Sequence, residues 1–280
     1  MRAELEKKIE QSVRLLKSIG ETHPNEVIEL AYSGGKDSDV ILQLAKEAGI
    51  NYKAYYKNTT IDPPQTIKHA KEMGAEVVRP KKTFFELIRE NSLPSRFSRF
   101  CCGYLKEYKI LDTCILGIRQ SESRKRAERY KEPTECKIYS KKDHVQMFYP
   151  ILTWTDEDVA EFIQERGIKC HPLYYDENGE FHVERRLGCI GCPLMSRKKR
   201  LEQFAKYPKF LKQWIKSLKA YRDTHPNVKA VTAFDFRDEY DQMYYDLYCD
   251  SLVQYRDEIE TLWGRFPTKE FFESHFKIDL

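Results

Sequence analysis

Apolar and polar positions follow two rhythms along this chain, and the switches between them lay out its elements. Residues 2–19 carry Leu5, Ile9, Val13, Leu15, Leu16 and Ile19 among charges at near-helical spacing, which predicts an amphipathic helix. Glu26 to Tyr32 is a short apolar run with β-branched residues, the pattern of a buried strand. Helical spacing resumes at Val40, Ile41, Leu44 and Ala45, and Gly49 stops it. Residues 52–56, 76–79 and 113–118 read as three further strands, and Pro63-Pro64 marks the start of another helix. Strands separated by helical segments of about a dozen residues predict an α/β fold, a parallel twisted sheet flanked by helices. From Trp154 the rhythm changes. Thr155, followed by Asp156, Glu157 and Asp158, has the form of a capped helix start. Residues 170–193 are loop-rich, and 200–222 and 236–264 read as charged, aromatic helices. The expected organisation is an N-terminal helix over 1–27, a core domain over 28–195 and a helical C-terminal extension over 196–280.

Composition narrows the classes of function. The 48 Lys and Arg against 44 Asp and Glu leave a net charge of +4, which argues against binding nucleic acid or membrane through bulk charge. A hydrophobic fraction of 41% excludes an intrinsically disordered chain. No apolar run approaches the roughly 18 residues of a membrane span, and the charged N-terminus lacks the apolar segment of a secretory signal. A soluble, cytoplasmic protein is expected, and in that compartment the eight cysteines call for something other than structural disulfides.

Ser33-Gly34-Gly35-Lys36-Asp37-Ser38 lies between the first strand and a helix, where open α/β sheets bind ligands. Two glycines let the backbone approach an anion, and the helix N-terminus, Lys36 and the hydroxyls of Ser33 and Ser38 supply donors. Leu30 and Asp37 occupy positions that a P-loop gives to Gly and Ser or Thr, so this is a different phosphate loop. Asp37 beside a phosphate implies a divalent cation between them, Mg²⁺ being the natural choice. Arg119, at the end of the fourth strand, points toward the same crevice.

The loop resembles the pyrophosphate loop of the N-type ATP pyrophosphatases, the group that includes the phosphoadenylyl-sulfate (PAPS) reductase family. Asn58-Thr59-Thr60-Ile61-Asp62-Pro63, the stretch Gly117-Ile118-Arg119 with Glu122, Ser123 and Arg126, and Tyr149 to Val159 are similar to that family's landmarks in order and spacing. The resemblance covers about residues 28–195 and implies an adenine nucleotide alpha hydrolase-like, Rossmann-like core. It implies that Ser33–Ser38, Thr59, Arg119 and Arg126 bind an adenine nucleotide, with Lys36, Asp37 and Arg119 acting at the α-phosphate.

Cys101-Cys102 and Cys189-x-x-Cys192, with 86 residues between them, form two pairs. A Cys-x-x-Cys chelates, and the glycines and Pro193 around it would turn backbone N–H groups toward bound sulfur. Adjacent cysteines bite zinc poorly but can serve two irons of a cubane. The pattern resembles the [4Fe–4S] site of adenylyl-sulfate (APS) reductases and of the iron–sulfur subunit of DNA phosphorothioation systems, with zinc or a redox dithiol as the other readings. Cys114, Cys136 and Cys249 are expected to be structural, and Cys170 to sit near the cluster loop as a helper thiol.

Three activities follow. An APS or PAPS reductase would need a cysteine in a Glu-Cys-Gly-(Leu/Ile)-His segment, which this sequence lacks. An intact loop using ATP itself would cleave at the α-phosphate, activate an acceptor with release of pyrophosphate, and couple this to sulfur transfer from a donor or reductant protein to an acceptor such as a nucleic acid. A non-catalytic nucleotide-sensing or nucleic-acid-binding adaptor would rest on Arg197-Lys198-Lys199-Arg200 and on an aromatic tail of Tyr244, Tyr245, Tyr248, Trp263 and Phe266. ATP cleavage with sulfur transfer is the preferred expectation.

Overall fold

The computed structural model describes residues 1–138, 144–225, 236–261 and 264–280. In chain order the elements are α1 (Ala3–Thr22), β1 (Ile28–Tyr32), α2 (Lys36–Ala48), β2 (Tyr52–Lys57), α3 (Gln65–Glu72), β3 (Glu76–Val78), α4 (Phe84–Asn91) and α5 (Phe100–Leu105). There follow β4 (Thr113–Leu116), α6 (Arg124–Arg129), β5 (Thr134–Ile138), β6 (His144–Phe148) and α7 (Asp156–Glu165). The C-terminal part holds α8 (Arg197–Lys206), α9 (Pro208–Thr224), α10 (Glu239–Tyr248), α11 (Leu252–Ile259), β7 (Glu260–Thr261), β8 (Gly264–Arg265) and α12 (Thr268–Phe276). Trp263, expected in the aromatic tail, lies outside the described residues.

The chain forms two compact units that do not follow its linear order. One comprises residues 1–58, 63–80 and 105–187; the other comprises 59–62, 81–104 and 188–280. The expected partition at 195/196 therefore differs from the grouping found, in which both cysteine pairs belong with the C-terminal helices. Sequence rhythm marks where elements begin, whereas units are set by which elements share a core.

The first unit is the α/β fold. Its sheet runs β3-β2-β1-β4-β6-β5, parallel except for β5, which pairs antiparallel with β6. Strand alternation divides the core between the two faces of the sheet. Ile28, Leu30, Ile115 and Phe148 join α1, α2 and α7 through Leu5, Leu16, Ile41, Leu44, Val159 and Phe162. Ala31, Cys114, Leu116, Val145 and Met147 form the opposite layer with Tyr149 and Leu152. Two expected boundaries have clear causes: Gly49 caps α2 in the left-handed conformation at φ +67°, and Thr155 exchanges a capping box with Asp158 at α7. The β5–β6 hairpin was not expected from the sequence. Its signal is the alternation of buried Val145 and Met147 with exposed His144 and Gln146.

In the second unit α4, α8 and α9 share an aromatic core. Phe84 lies 4.9 Å and Phe204 5.8 Å, centroid to centroid, from the buried Trp214. Residues 200–222 are helical, with a break at Tyr207 before Pro208. Tyr244, Tyr245, Tyr248 and Phe266 pack on Phe236, Cys249, Tyr255 and Ile259, so these tail aromatics are core. Among the described residues no helix is long and apolar enough to cross a membrane.

Candidate functional site

Strand order reverses at β1 and β4, so the loops leaving their C-terminal ends flank the crevice where open α/β sheets take ligands. The loop after β1 is Ser33–Ser38. Gly34 has φ +77°, and a Cβ there would lie 2.8 Å from Thr66 Cγ2, so both conformation and space require glycine. Gly35 precedes the first turn of α2 without a side-chain cap. Ser38 donates to the Gly35 carbonyl at 2.6 Å, Ser33 and Ser38 hydroxyls are 3.3 Å apart, and Ser33 is exposed.

Lys36 is 4% exposed. Its N–H donates to the Tyr174 hydroxyl at 3.2 Å and its ammonium sits 5.5 Å from that ring. The ammonium is also 3.5 Å from Asp37 Oδ2, while Asp37 Oδ1 accepts from Arg119 Nε at 2.6 Å. Arg119 is 1% exposed and otherwise engaged by Asp156 at 2.7 Å, Ser121 at 2.8 Å and the Trp154 carbonyl at 3.4 Å. Burial alone would pull its pKa down, but Asp37 and Asp156 outweigh that and hold it charged. The structure thus brings Lys36, Asp37 and Arg119 together, with Arg119 anchoring Asp37 rather than reaching outward. Arg126 is partly exposed and pairs with Glu122, whose carboxylate also accepts from the Arg119 N–H at 3.3 Å.

Beneath the loop lies a buried polar group that the sequence reading missed. Asp39 is fully buried, accepts from Tyr32, and lies 3.2 Å from His69 Nε2. Burial pushes its carboxyl up, against the opposing pull of His69. Cys170 sits beside it, 2% exposed, its thiol pushed well up by burial and by Asp39. Cys170 is thus a neutral buried thiol of the same unit as the Ser33–Ser38 loop. No periodicity links Asp39, His69 and Tyr174; the Cys170–Tyr174 segment joining two glycine-containing stretches was the available hint.

All four paired cysteines fall in the second unit and are half-buried. Cys101 is pushed strongly up by its contact with Cys102, by burial, and by the nearby Cys189 and Cys192 thiols. Four soft thiol donors grouped in one unit are a set that a soft or borderline metal would take. Zinc at 2.3 Å from each sulfur would draw the thiolates to about 3.8 Å apart. Among the described residues, the group of three or more His, Cys, Asp or Glu ligand atoms lying within 4.8 Å of one another is Asp176, Glu180 and His182 in a turn, not the thiols.

The loop carrying Cys189 and Cys192 is held by residues the sequence did not single out. Gly191 has φ +74°, and a Cβ there would lie 2.3 Å from Phe204 Cζ. Gly191 N–H donates to Gln203, its carbonyl accepts from the buried Arg200 at 3.1 Å, and Arg200 pairs with Asp246. Arg96 donates to the Pro193 and Met195 carbonyls at 3.1 and 3.2 Å, tying this loop to the segment before Cys101. The N–H groups of Ile190, Gly191 and Cys192 are engaged by Ile61, Gln203 and Cys189 rather than turned toward bound sulfur as expected. Thr59 is buried in this unit and accepts from the Cys189 thiol at 3.7 Å. Cys114 and Cys249 are buried as expected, whereas Cys136 is exposed on the edge strand β5.

The fold defines an α/β protein with a glycine-containing loop at the switch point of its sheet. Residues 27–195 match the model of the phosphoadenosine phosphosulfate reductase domain, and the chain belongs to that family. It is 28% identical over 233 residues to an uncharacterised protein of Methanocaldococcus jannaschii, covering 78% of this chain and 54% of that one. It is 34% identical over 77 residues to the phosphoadenosine 5'-phosphosulfate reductase of Xanthomonas campestris, covering 26% of this chain and 29% of that one. The chain thus spans about half the length of the archaeal relative. Solved structures with a related arrangement include phosphoadenylyl-sulfate reductase from Candida auris, at TM-score 0.45 and 14% identity over 68% of this chain and 96% of that one. The U34-tRNA thiolase of Methanococcus maripaludis with its [4Fe–4S] cluster gives TM-score 0.40 and 15% identity over 82% and 84%. Scores of this size carry no functional argument.

Proposed function

We propose that this member of the family is an iron–sulfur enzyme that binds ATP at Ser33–Ser38 and couples cleavage at the α-phosphate to sulfur transfer. The observation that carries the reading is the complete loop, with Lys36 buried beside Asp37 and backed by Tyr174. Ser33, Ser38 and the first turn of α2 would hold the pyrophosphate, and Lys36 would offset the charge that builds on it as it leaves. Asp37, supported by Arg119, would orient the Mg²⁺ that accompanies ATP, since one carboxylate with phosphate oxygens is a usual magnesium donor set. In the step itself a carbonyl-type oxygen of the acceptor bonds to the α-phosphorus and the bond to the β-bridging oxygen breaks, releasing pyrophosphate. A sulfur donor at the hydrosulfide level then displaces AMP from the activated carbon, with no net oxidation. Cys101, Cys102, Cys189 and Cys192 would hold a [4Fe–4S] cluster, which when bound would supply sulfur or electron carriage.

The reductase reading is less well supported. Cys249, the last cysteine of the sequence, is buried beside Glu258, and burial with that carboxylate pushes its thiol up to about 12, the opposite of what a nucleophile needs. The test is anaerobic purification followed by incubation with ATP and Mg²⁺. A brown protein releasing AMP and pyrophosphate on addition of acceptor supports the proposal. A colourless, zinc-loaded protein refutes the cluster, and sulfite production from APS or PAPS with thioredoxin refutes the ATP reaction.

A further inference from the structure

Away from the loop and the cysteines, the most concentrated feature of the molecule is charge. Residues 196–225 carry ten Lys and Arg against Glu202 and Asp223, a net of +8 in a chain whose total is +4. The rest of the sequence is therefore net acidic.

Three of these cations are structural. Arg200 is clamped between Gly191 and Asp246, Arg197 pairs with Asp250 at 2.7 Å, and Arg222 donates to Gln242 and the Phe236 carbonyl. The lysines are placed differently. On α9 the buried positions are Leu211, Trp214, Ile215, Ser217 and Leu218. At 3.6 residues per turn, Lys209, Lys212, Lys216 and Lys219 fall within one arc of the opposite face. Lys209, Lys216 and Lys219 are exposed, and Lys212 is half-buried with its ammonium on the Asp279 carbonyl. The one acid on this face is Asp223, 3.6 Å from Lys219 at the helix end. The row is about 15 Å long at 1.5 Å per residue.

This arrangement works against the helices themselves. Lys209 with Lys212, Lys212 with Lys216, and Lys216 with Lys219 are like-charged neighbours three or four residues apart, which destabilises a helix. Neither α8 nor α9 has an acid in its first turn, and α8 opens with Arg197, Lys198, Lys199 and Arg200 where its own dipole is positive. A surface kept only for solubility would interleave acids, as the remainder of this chain does. Two unfavourable terms of the same sign are relieved together by a polyanion.

We propose that the outer face of α8 and α9 binds the phosphodiester backbone of a nucleic acid. Lysines act there as point charges on phosphates and fix position without reading sequence. A lipid surface fits less well, because the apolar face of α9 is already consumed in the core and offers nothing to insert. An acidic protein fits less well too, since the lysine row includes no apolar centre for an interface to form around. The surface stands on charge and helix geometry alone, and so goes beyond the proposed reaction without depending on it.

Binding of the full chain to a fluorescent folded RNA and to a duplex DNA, without ATP, tests this by anisotropy across a salt series. Four phosphate contacts contribute a slope of about 3.6 on duplex DNA, an affinity loss of about 150-fold between roughly 50 and 200 mM salt. The joint substitution Lys209→Gln, Lys212→Gln, Lys216→Gln and Lys219→Gln is expected to remove that part of the slope and weaken binding at least tenfold at about 100 mM salt. The corresponding Lys→Arg set should retain it, and Lys68→Gln with Lys71→Gln on α3 should change nothing. The proposal is overturned if neither probe binds the wild-type chain at the lowest salt, if its slope is below about 2, or if the glutamine set binds as wild type. Equal, lysine-dependent capture by anionic phospholipid vesicles without nucleic-acid binding would also overturn it.

Discussion

Gly191 is the position where the cysteine loop and the helical core are hardest to separate, and Gly191→Ala tests that dependence. Two costs are expected. A non-glycine residue at φ +74° costs about 1–2 kcal/mol. The added methyl would overlap the Phe204 ring, with Cζ at 2.3 Å and both flanking ring atoms within 3.2 Å. Phe204 is fully buried and stacked edge-on to Trp214, so it has no room to retreat, and overpacking of this kind costs about 1–3 kcal/mol. The sum is about 2–5 kcal/mol, or a fall in Tm of about 4–20 °C at 2–4 °C per kcal/mol for a chain of this size. Phe204→Leu in the same background should restore the steric part and leave the backbone part, giving a favourable coupling of about 1–3 kcal/mol in the double-mutant cycle. The assay is urea unfolding followed by tryptophan fluorescence, with visible absorbance of the anaerobic protein recorded alongside. A neutral Gly191→Ala, or single substitutions whose effects simply add, would refute the reasoning that Phe204 dictates the shape of the loop.

Lys36→Ala should leave the circular dichroism unchanged and lower pyrophosphate release from ATP by about 10²–10³-fold, the usual effect of deleting one donor that meets developing charge. Asp158→Asn should cost about 2 kcal/mol near neutral pH, since Asp158 caps α7 and accepts from Lys8 and Arg2. Burial alone would raise the Asp158 pKa, but Lys8 and Thr155 hold it below the ordinary carboxylate value. Its contribution is therefore full above about pH 4 and lost as pH falls through the lowered value, so the Tm gap to Asp158→Asn should close on acidification. Cys189→Ala should abolish visible absorbance while an ATP analogue still binds, as measured by calorimetry, because the Ser33–Ser38 loop proposed to bind it belongs to the other unit.

Local features of the sequence carried through to the structure and long-range ones did not, and particular residues show why. Ser33–Ser38, Gly49 and Thr155 act on neighbours within one turn of chain, so strand, loop and cap could be read from residue type and order. Arg119 could be placed after the end of an apolar strand for the same reason. Its engagement by Asp37 and Asp156 was invisible, because those carboxylates lie 82 and 37 positions away. Lys36 and Tyr174, 138 positions apart, share a hydrogen bond that no spacing rule anticipates. Thr59 follows the strand β2 in sequence, and the meeting of its hydroxyl with Cys189, 130 positions on, is another contact that no spacing rule anticipates. The basic run Arg197–Arg200 makes the same point from the other side. Two of its members are consumed in holding the cysteine loop and α10, and what remains is Lys198, Lys199 and a lysine face on α9 that emerges once the helix is seen to bury Leu211, Trp214 and Leu218. A charge run in a sequence is therefore a weaker indicator of a binding surface than a row of like charges that a helix keeps on one side against its own stability.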